Sequence, residues 1–468
     1  VTTPTFPHDF LWGAATSAFQ IEGSRTADGA GESVWDVFGR QPGAVEGGGD
    51  GSLACDSYRR WPEDVAILEE LGLRAYRFSI GWSRVMPDGH RVNEAALDHY
   101  ERIVDALVEA GIDPVVTLNH WDMPQALMAD RGWIGRSTVD AFVAYAQAVA
   151  HRLGDRVQHW ITQNEPWIIQ LLGYQLGLHA PGIVDLAGSV VAGHHVLLGH
   201  GRAADAIKQV VPGAQVGVAL SLFPCEPATG SEADREAAWA SDGYVNRWYL
   251  DPLHGRGYPK DTRELWDGIL LREGADFTLD DVILPGDEEQ IGGRTDFVGV
   301  NYYTRRVCAA APVTAERPFP WAVVGPTGDV PRTDEGWEVR PESFDALLRR
   351  LHDDYGAPRI MITENGGVYG DAPTHDGKVH DNRRIEYLRS HLRAVLSARE
   401  AGVDVFGYMQ WSLLDNFEWA LGYRPRFGIV HVDYPTGRRT PKDSALFYAQ
   451  VVRSGVVPDE DPAHLPFG

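Results

Sequence analysis

Eight short runs of β-branched and apolar residues, most of them followed by a stretch with the three-to-four-residue apolar spacing of a helix, constrain this 468-residue chain more than any other feature. The runs are Phe10–Gly23, Ala75–Trp82, Asp113–Asn119, Trp160–Glu165, Gln215–Phe223, Thr295–Tyr303, Ile360–Glu364 and Val403–Gln410. The spacing predicts helices over Pro62–Leu71, opened by Pro62 and closed by Gly72, over Glu94–Ala110, and over Ser137–Leu153 with Ser137 as the cap. Further helices are expected over 188–210, Asp242–Leu250, Glu342–Tyr355, Asn382–Ala401 and Ser444–Ser454. Strands joined through helices run parallel, because a parallel pair needs a long crossover. Eight such units are enough to close a barrel. The expected fold is α/β: a (β/α)8 TIM barrel, one domain over residues 1–468. The surplus length falls in long loops after the strands, at about 39–60, 224–241, 304–340 and 367–381.

A closed barrel brings the C-terminal ends of its strands together on one face, where active sites lie. The residues at those ends are Gln20, Glu22, Arg77, His120, Trp121, Asn164, Glu165, Asn301, Tyr303, Glu364, Trp411, Glu418 and Trp419. Two of the carboxylates share a setting. Ile360-Met361-Ile362-Thr363 leads to Glu364 and stops on Asn365-Gly366-Gly367; Trp160-Ile161-Thr162-Gln163-Asn164 leads to Glu165 and stops on Pro166. A lone strand-end Glu is more often an ion-pair partner or a cap. Paired with a second, and surrounded by amides, an imidazole and indoles, it points to a carbohydrate site. Indole faces pack on the C–H faces of sugar rings, and amides hydrogen-bond hydroxyls. Glycoside hydrolysis uses one carboxylic acid to protonate the leaving oxygen and one carboxylate across the ring. Arg77 and Tyr303 are expected to lower the pKa of Glu364 and keep it ionised, while Glu165 is raised to act as the acid. Asn164 is placed for the sugar 2-hydroxyl.

Other chemistries find no support. The net charge of −24 argues against nucleic acid or an anionic membrane as a partner. No apolar run approaches the roughly 18 residues of a membrane span. Cys55, Cys225 and Cys308 are too few and too scattered for a disulfide framework or a cysteine-rich metal site, and fit free thiols in a reducing compartment. His194-His195 lacks the second ligand cluster of a zinc site, and no Gly-x-Ser-x-Gly turn occurs. No signal peptide is visible at Val1-Thr2-Thr3-Pro4, so a cytoplasmic location is expected, although a cleaved signal would leave the same sequence.

The chain resembles the β-glucosidases of glycoside hydrolase family 1, from Phe6-Pro7 to the last helix. The resemblance is carried by Phe10-Leu-Trp-Gly-Ala-Ala-Thr-Ser-Ala-Phe-Gln20-Ile-Glu-Gly, by Thr162-Gln163-Asn164-Glu165-Pro166, by Ile362-Thr363-Glu364-Asn365-Gly366 and by Trp411-Ser-Leu-Leu-Asp-Asn-Phe-Glu418-Trp419. It implies a retaining double displacement with Glu165 as acid/base and Glu364 as nucleophile. It implies that Gln20, His120, Trp121, Asn164, Glu418 and Trp419 hold the non-reducing sugar on a Trp411 platform. Asn301 and Tyr303 would flank the nucleophile, and Trp337 would face the aglycone. It implies a small-molecule β-glycoside as partner and neither a metal nor an organic cofactor; oligomeric state stays open. Asn119, where many members have Tyr, and Gln163 depart from the pattern away from the catalytic positions. Relatives acting on 6-phosphorylated sugars carry Ser and Lys where this chain has Glu418 and Trp419, and thioglucosidases carry Gln at the position of Glu165. A 6-phospho-β-glycosidase and a non-catalytic sugar-binding barrel are the alternatives.

Overall fold

Each apolar run has two faces, and both are buried, which is the condition for a parallel sheet covered by helices. The computed structural model describes residues 4–325 and 328–459, so the expected span of 1–468 passes beyond the described residues at both ends. The eight strands are β1 (Leu11–Ala15), β2 (Ala75–Ser79), β3 (Asp113–Asn119), β4 (His159–Asn164), β5 (Gln215–Ser221), β6 (Phe297–Tyr302), β7 (Ile360–Asn365) and β8 (Val405–Trp411). They pair in chain order, every pair parallel, and β8 closes on β1 through Leu11 to Ala15 against Gly407 to Trp411.

Alternation along the strands sorts the core into two parts. Inside the barrel a small apolar cluster takes one residue from each strand: Ala15, Ala75, Val115, Ile161, Ala219, Phe297, Met361 and Met409. The opposite faces, among them Trp12, Tyr76, Phe78, Val116, Leu118, Trp160 and Val218, pack outward in the larger core shared with the helices. Above the inner cluster the barrel turns polar. Arg77 donates to Thr117 Oγ1 at 3.1 Å and to the Thr363 carbonyl at 2.8 Å, and Thr363 Oγ1 donates to Asn301 at 2.6 Å. This polar layer is the floor of the strand-end face.

The helices differ from expectation at identifiable points. The first long helix runs Ser57–Leu71 and holds Pro62 in its interior, so it starts five residues before the expected site, behind a left-handed Asp56 (φ 54°). Ser137 is the first residue of Ser137–Leu153 rather than its cap, and its hydroxyl goes to Asp130 at 2.5 Å. Gln20 lies on a helical turn, Ala18–Ile21, beyond β1. The loops expected at 224–241 and 304–340 are partly ordered elements: Cys225–Pro227, Arg306–Ala310 and Trp321–Val324 form a separate three-stranded sheet, and Glu232–Asp242 is a helix. The helix Lys260–Glu273, which the sequence reading passed over, packs on Leu186–Val210. His194 of that helix bonds Asp287 and Tyr258, both at 2.9 Å, in a structural contact. Among the described residues no helix is long and apolar enough to cross a membrane.

The stop after β7 has a packing cause. A Cβ on Gly366 would lie 1.9 Å from the Trp411 carbonyl oxygen, so β7 and β8 leave the barrel too close for any side chain. Gly366→Ala is therefore expected to destabilise the protein by about 3 kcal/mol, at the upper end of overpacking effects. Denaturant unfolding compared with the parent checks this; an unchanged midpoint would remove the argument.

Candidate active site

Both glutamates stand where strand pairing becomes irregular. The β4–β5 register shifts between Ile161 and Asn164, and the β7–β6 register between Ile362 and Glu364. Such irregularities re-aim a side chain at the end of a rigid strand. Glu165 also has a left-handed backbone (φ 52°), as do Trp121 (φ 73°) and Trp419 (φ 51°). For residues with a Cβ that conformation costs about 1–3 kcal/mol each. All three line the same cavity, of about 340 Å³, together with His120, Tyr303, Trp337, Glu364, Trp411 and Glu418. Both glutamates are buried.

Behind the wall, the polar layer connects them. Arg77, without exposed surface, gives Nη1 to Glu364 Oε1 at 2.7 Å and Nη2 to Asn164 Oδ1 at 2.7 Å. Tyr303 donates to the other oxygen of Glu364 at 2.6 Å. Asn301 Nδ2 donates to Glu165 Oε1 at 2.9 Å and to Asn164 Oδ1 at 3.1 Å. Asn164 Nδ2 meets His120 Nε2 at 3.1 Å, and the Asn164 carbonyl accepts from Trp121 Nε1 at 2.9 Å. On the far side Gln20 and Asn416 donate to Glu418 Oε2 at 3.1 and 3.2 Å. His120 lies nearly parallel to Trp411 (5.7 Å between ring centres) and to Trp419 (6.0 Å), while Trp121 packs on Trp419 at 4.8 Å. All of the expected strand-end residues except Glu22 are thus part of one assembly. Gln20, Asn164, Asn301 and Arg77 are fully buried and form its backing. Glu22 is not part of it: Arg84 at 2.6 Å and Tyr100 at 2.8 Å engage it elsewhere.

The electrostatics separate the two glutamates, but not as expected for Glu364. Burial pushes Glu364 up from the ordinary carboxylate range, against the pull of Arg77, Tyr303 and Asn301, so the expected net lowering is corrected. Glu165 is pushed further, up to about 8, by burial and then by the charge of Glu364. Among the described residues it has no ion-pair partner. The Arg77 ion pair favours the charge on Glu364 and the proton on Glu165, the division of roles that acid-plus-carboxylate chemistry needs. Burial also lifts Glu418 to about 8 and holds His120 neutral, well below the usual imidazole range. The sugar-facing wall is therefore a set of uncharged hydrogen-bonding groups around one carboxylate.

Residues that sequence reasoning missed complete the cavity: Ile168, Leu172, His179, Ser221, Phe223, Thr304, Glu335, Leu421 and Phe427. Ser221 borders Glu165 in the cavity and draws its pKa down. Its signal was available, since it ends β5 as Glu165 follows β4; the apolar ones lie in connections and carry none. Among the described residues no group of three or more His, Cys, Asp or Glu side chains is arranged to hold a metal ion, and no Lys or Arg lines the cavity.

Residues 2–456 match the family profile described as glycosyl hydrolase family 1. The chain belongs to that family. It is 41% identical over 456 residues to β-glucosidase A of Thermotoga maritima, covering 97% of this chain and 99% of that protein. It is 45% identical to thermostable β-glucosidase B of Thermobispora bispora, covering 96% and 91%. The solved family 1 β-glucosidase from Thermotoga maritima superposes with a TM-score of 0.92, covering 98% of this chain and all (100%) of that one. The same enzyme in complex with glucoimidazole gives 0.90, covering 97% and 100% at 41% identity. The psychrophilic β-glucosidase from Micrococcus antarcticus, 44% identical, gives 0.89 and covers 96% and 97%.

If the charge of Glu364 helps hold the proton on Glu165, Glu364→Gln must lower the pKa of Glu165. Carboxyl 13C NMR titration of the variant against the parent reads this directly, and an unmoved Glu165 titration contradicts the coupling. In the parent, kcat/KM for a glucoside with a poor leaving group should fall tenfold per pH unit above about 8, as Glu165 loses the proton it has to donate.

Proposed function

We propose that this chain is a retaining β-glucosidase that removes terminal non-reducing β-D-glucosyl groups from small-molecule β-glucosides. The observation that carries the reading is the unequal support of two facing glutamates. One is clamped by Arg77 and Tyr303; the other is held by the Asn301 amide. In the first step Glu364 attacks the anomeric carbon while Glu165 gives its proton to the glycosidic oxygen, so the C–O bond breaks and the alcohol leaves. A glucosyl ester on Glu364 remains. In the second step the Glu165 carboxylate takes a proton from water, the water oxygen bonds to the anomeric carbon, and the ester bond to Glu364 breaks. Glu165 is protonated again and β-glucose is released.

The glucosyl ring rests on Trp411, with His120, Trp121, Glu418 and Trp419 around its hydroxyls, Gln20 and Asn164 backing them, and Trp337 towards the aglycone. The 6-phospho reading is disfavoured because no Lys or Arg among the described residues lines the cavity to match a phosphate. The non-catalytic reading is disfavoured because both glutamates are present and differently supported, one by Arg77 and Tyr303 and the other by Asn301. The chain acts as one catalytic domain, and a cytoplasmic location fits its three free cysteines.

Glu165→Ala is expected to reduce kcat/KM about 10³-fold on methyl β-glucoside but less than about tenfold on dinitrophenyl β-glucoside, whose leaving group needs no proton. Glu364→Gln should abolish turnover of both. Equal losses on the two substrates for Glu165→Ala would reject the acid role. An α-configured first product, seen by proton NMR, would reject retention.

A further inference from the structure

We infer that Cys225 and Cys308 form a reversible, peroxide-sensitive dithiol behind the cavity wall, and that closing it to a disulfide loosens that wall and weakens glucoside binding. The thiol chemistry is independent of the β-glucosidase reading; only its readout in KM rests on it.

The two cysteines belong to the small three-stranded sheet beside the barrel. Cys225 opens the strand Cys225–Pro227, and Cys308 is the middle residue of Arg306–Ala310. The strands pair in parallel, with Cys225 opposite Arg306 and Pro227 opposite Cys308. Alternation therefore places Cys225, Arg306 and Cys308 on one face. The helix Glu232–Asp242 packs on both strands, and Cys225 Sγ donates to its buried Ser241 Oγ at 3.6 Å. Cys308 is buried and Cys225 half-buried. Each thiol acts first on the other. Cys308 is drawn down by Cys225, against burial, and then by Ser241 and Arg306, while Cys225 is pushed up.

Arg306 gives a reason for a thiolate here. Its Nε is buried without a hydrogen-bond partner, and among the described residues no carboxylate pairs with its guanidinium. A cation withdrawn from water needs a counter-charge, and a thiolate on the same face supplies one. The guanidinium also lies over the rings of Trp167 (5.4 Å) and Phe223 (5.9 Å). Phe223 lines the cavity, and Trp167, two residues past Glu165, meets it edge-on at 5.4 Å. Thiolate, guanidinium and cavity wall are thus one chain of contacts.

Hydrogen peroxide enters at the half-buried thiol. The Cys225 sulfur attacks one peroxide oxygen, the O–O bond breaks, and the thiol proton leaves with the other oxygen as water. The Cys308 thiolate then attacks the sulfur of the resulting sulfenic acid. The S–S bond forms, the S–O bond breaks, and the departing hydroxide takes a proton from solvent. Two thiols are oxidised and one peroxide is reduced to two waters. The disulfide carries no charge, so Arg306 loses its counter-charge, turns towards water and withdraws from Trp167 and Phe223. Cys55 is an internal control: it is buried, its thiol donates to the Asp415 carbonyl at 3.1 Å, and burial pushes its pKa up.

The test treats the full chain with hydrogen peroxide and follows intact mass, peptide mapping and kinetics on 4-nitrophenyl β-glucoside. We expect a loss of about 2 Da, a cross-linked Cys225–Cys308 peptide and an unmodified Cys55. KM should rise about threefold, the size of a lost cation–π contact, with kcat nearly unchanged. Dithiothreitol should reverse every change. Cys308→Ser, treated alike, should gain oxygen at Cys225 and form no cross-link. No cross-link in the parent, a cross-link that includes Cys55, or a Cys225–Cys308 link that leaves KM unmoved would overturn the inference. A reduced protein that hydrolyses no glucoside would overturn the β-glucosidase reading and leave the mass test of the dithiol intact.

Discussion

Arg77 has no exposed surface, and a guanidinium in that position has to be matched on every side. It sits on β2, inside the barrel, and reaches β3 through Thr117, β4 through Asn164 and β7 through Thr363 and Glu364. Four of the eight strands are therefore registered against one another by a single cation. The same contacts place the nucleophile candidate and orient Asn164, which in turn positions His120 and Trp121. Removing one member of such a pair typically costs about 3–5 kcal/mol because the other charge is left unmatched. Stability and chemistry thus draw on the same interaction.

A second buried network supports the rim from behind. Arg384, Asp381, Lys442 and Asp415 have essentially no exposed side-chain surface. Arg384 donates to the carbonyls of Gly367, Arg426 and Phe427, tying the segment after β7 to the one after β8. Phe427 packs on Tyr303, whose hydroxyl bonds Glu364, so the wall of the cavity and the carboxylate share a support. Rigid backing of this kind allows the left-handed backbone at Glu165, Trp121 and Trp419 to be held, and holding it keeps the reacting groups aligned.

The barrel was legible because period-two runs and helical spacing survive in every unit, and because strand ends are where a barrel gathers its chemistry. Glu165, Glu364, Asn301 and Tyr303 could be read from that position only in combination, and Arg77, expected at a strand end, lies in the middle of β2. What the sequence hid has physical causes. The Ser57–Leu71 helix tolerates Pro62 in its interior, against the usual preference for the first turn. The strands Cys225–Pro227, Arg306–Ala310 and Trp321–Val324 are short and partly exposed, so their pattern is weak. The apolar part of the cavity wall is assembled from four separate connections, and Leu172, Phe223 or Leu421 look in sequence like any other loop residue. The net direction of the Glu364 shift was misjudged because partners are visible in a sequence pattern and the extent of burial is not.

The central claim is that Glu364 forms a covalent bond to the sugar. Incubation with 2-deoxy-2-fluoro-β-glucosyl fluoride, followed by proteolysis and mass spectrometry, tests it most directly, because the 2-fluorine slows both steps while the fluoride leaving group keeps the first fast enough for the adduct to accumulate. The account predicts a fluoroglucosyl adduct on the peptide containing Ile362-Thr363-Glu364-Asn365, with loss of activity in proportion to labelling and return of activity as the adduct turns over. Stoichiometric labelling of a different residue, or inactivation without any adduct at Glu364, would contradict it.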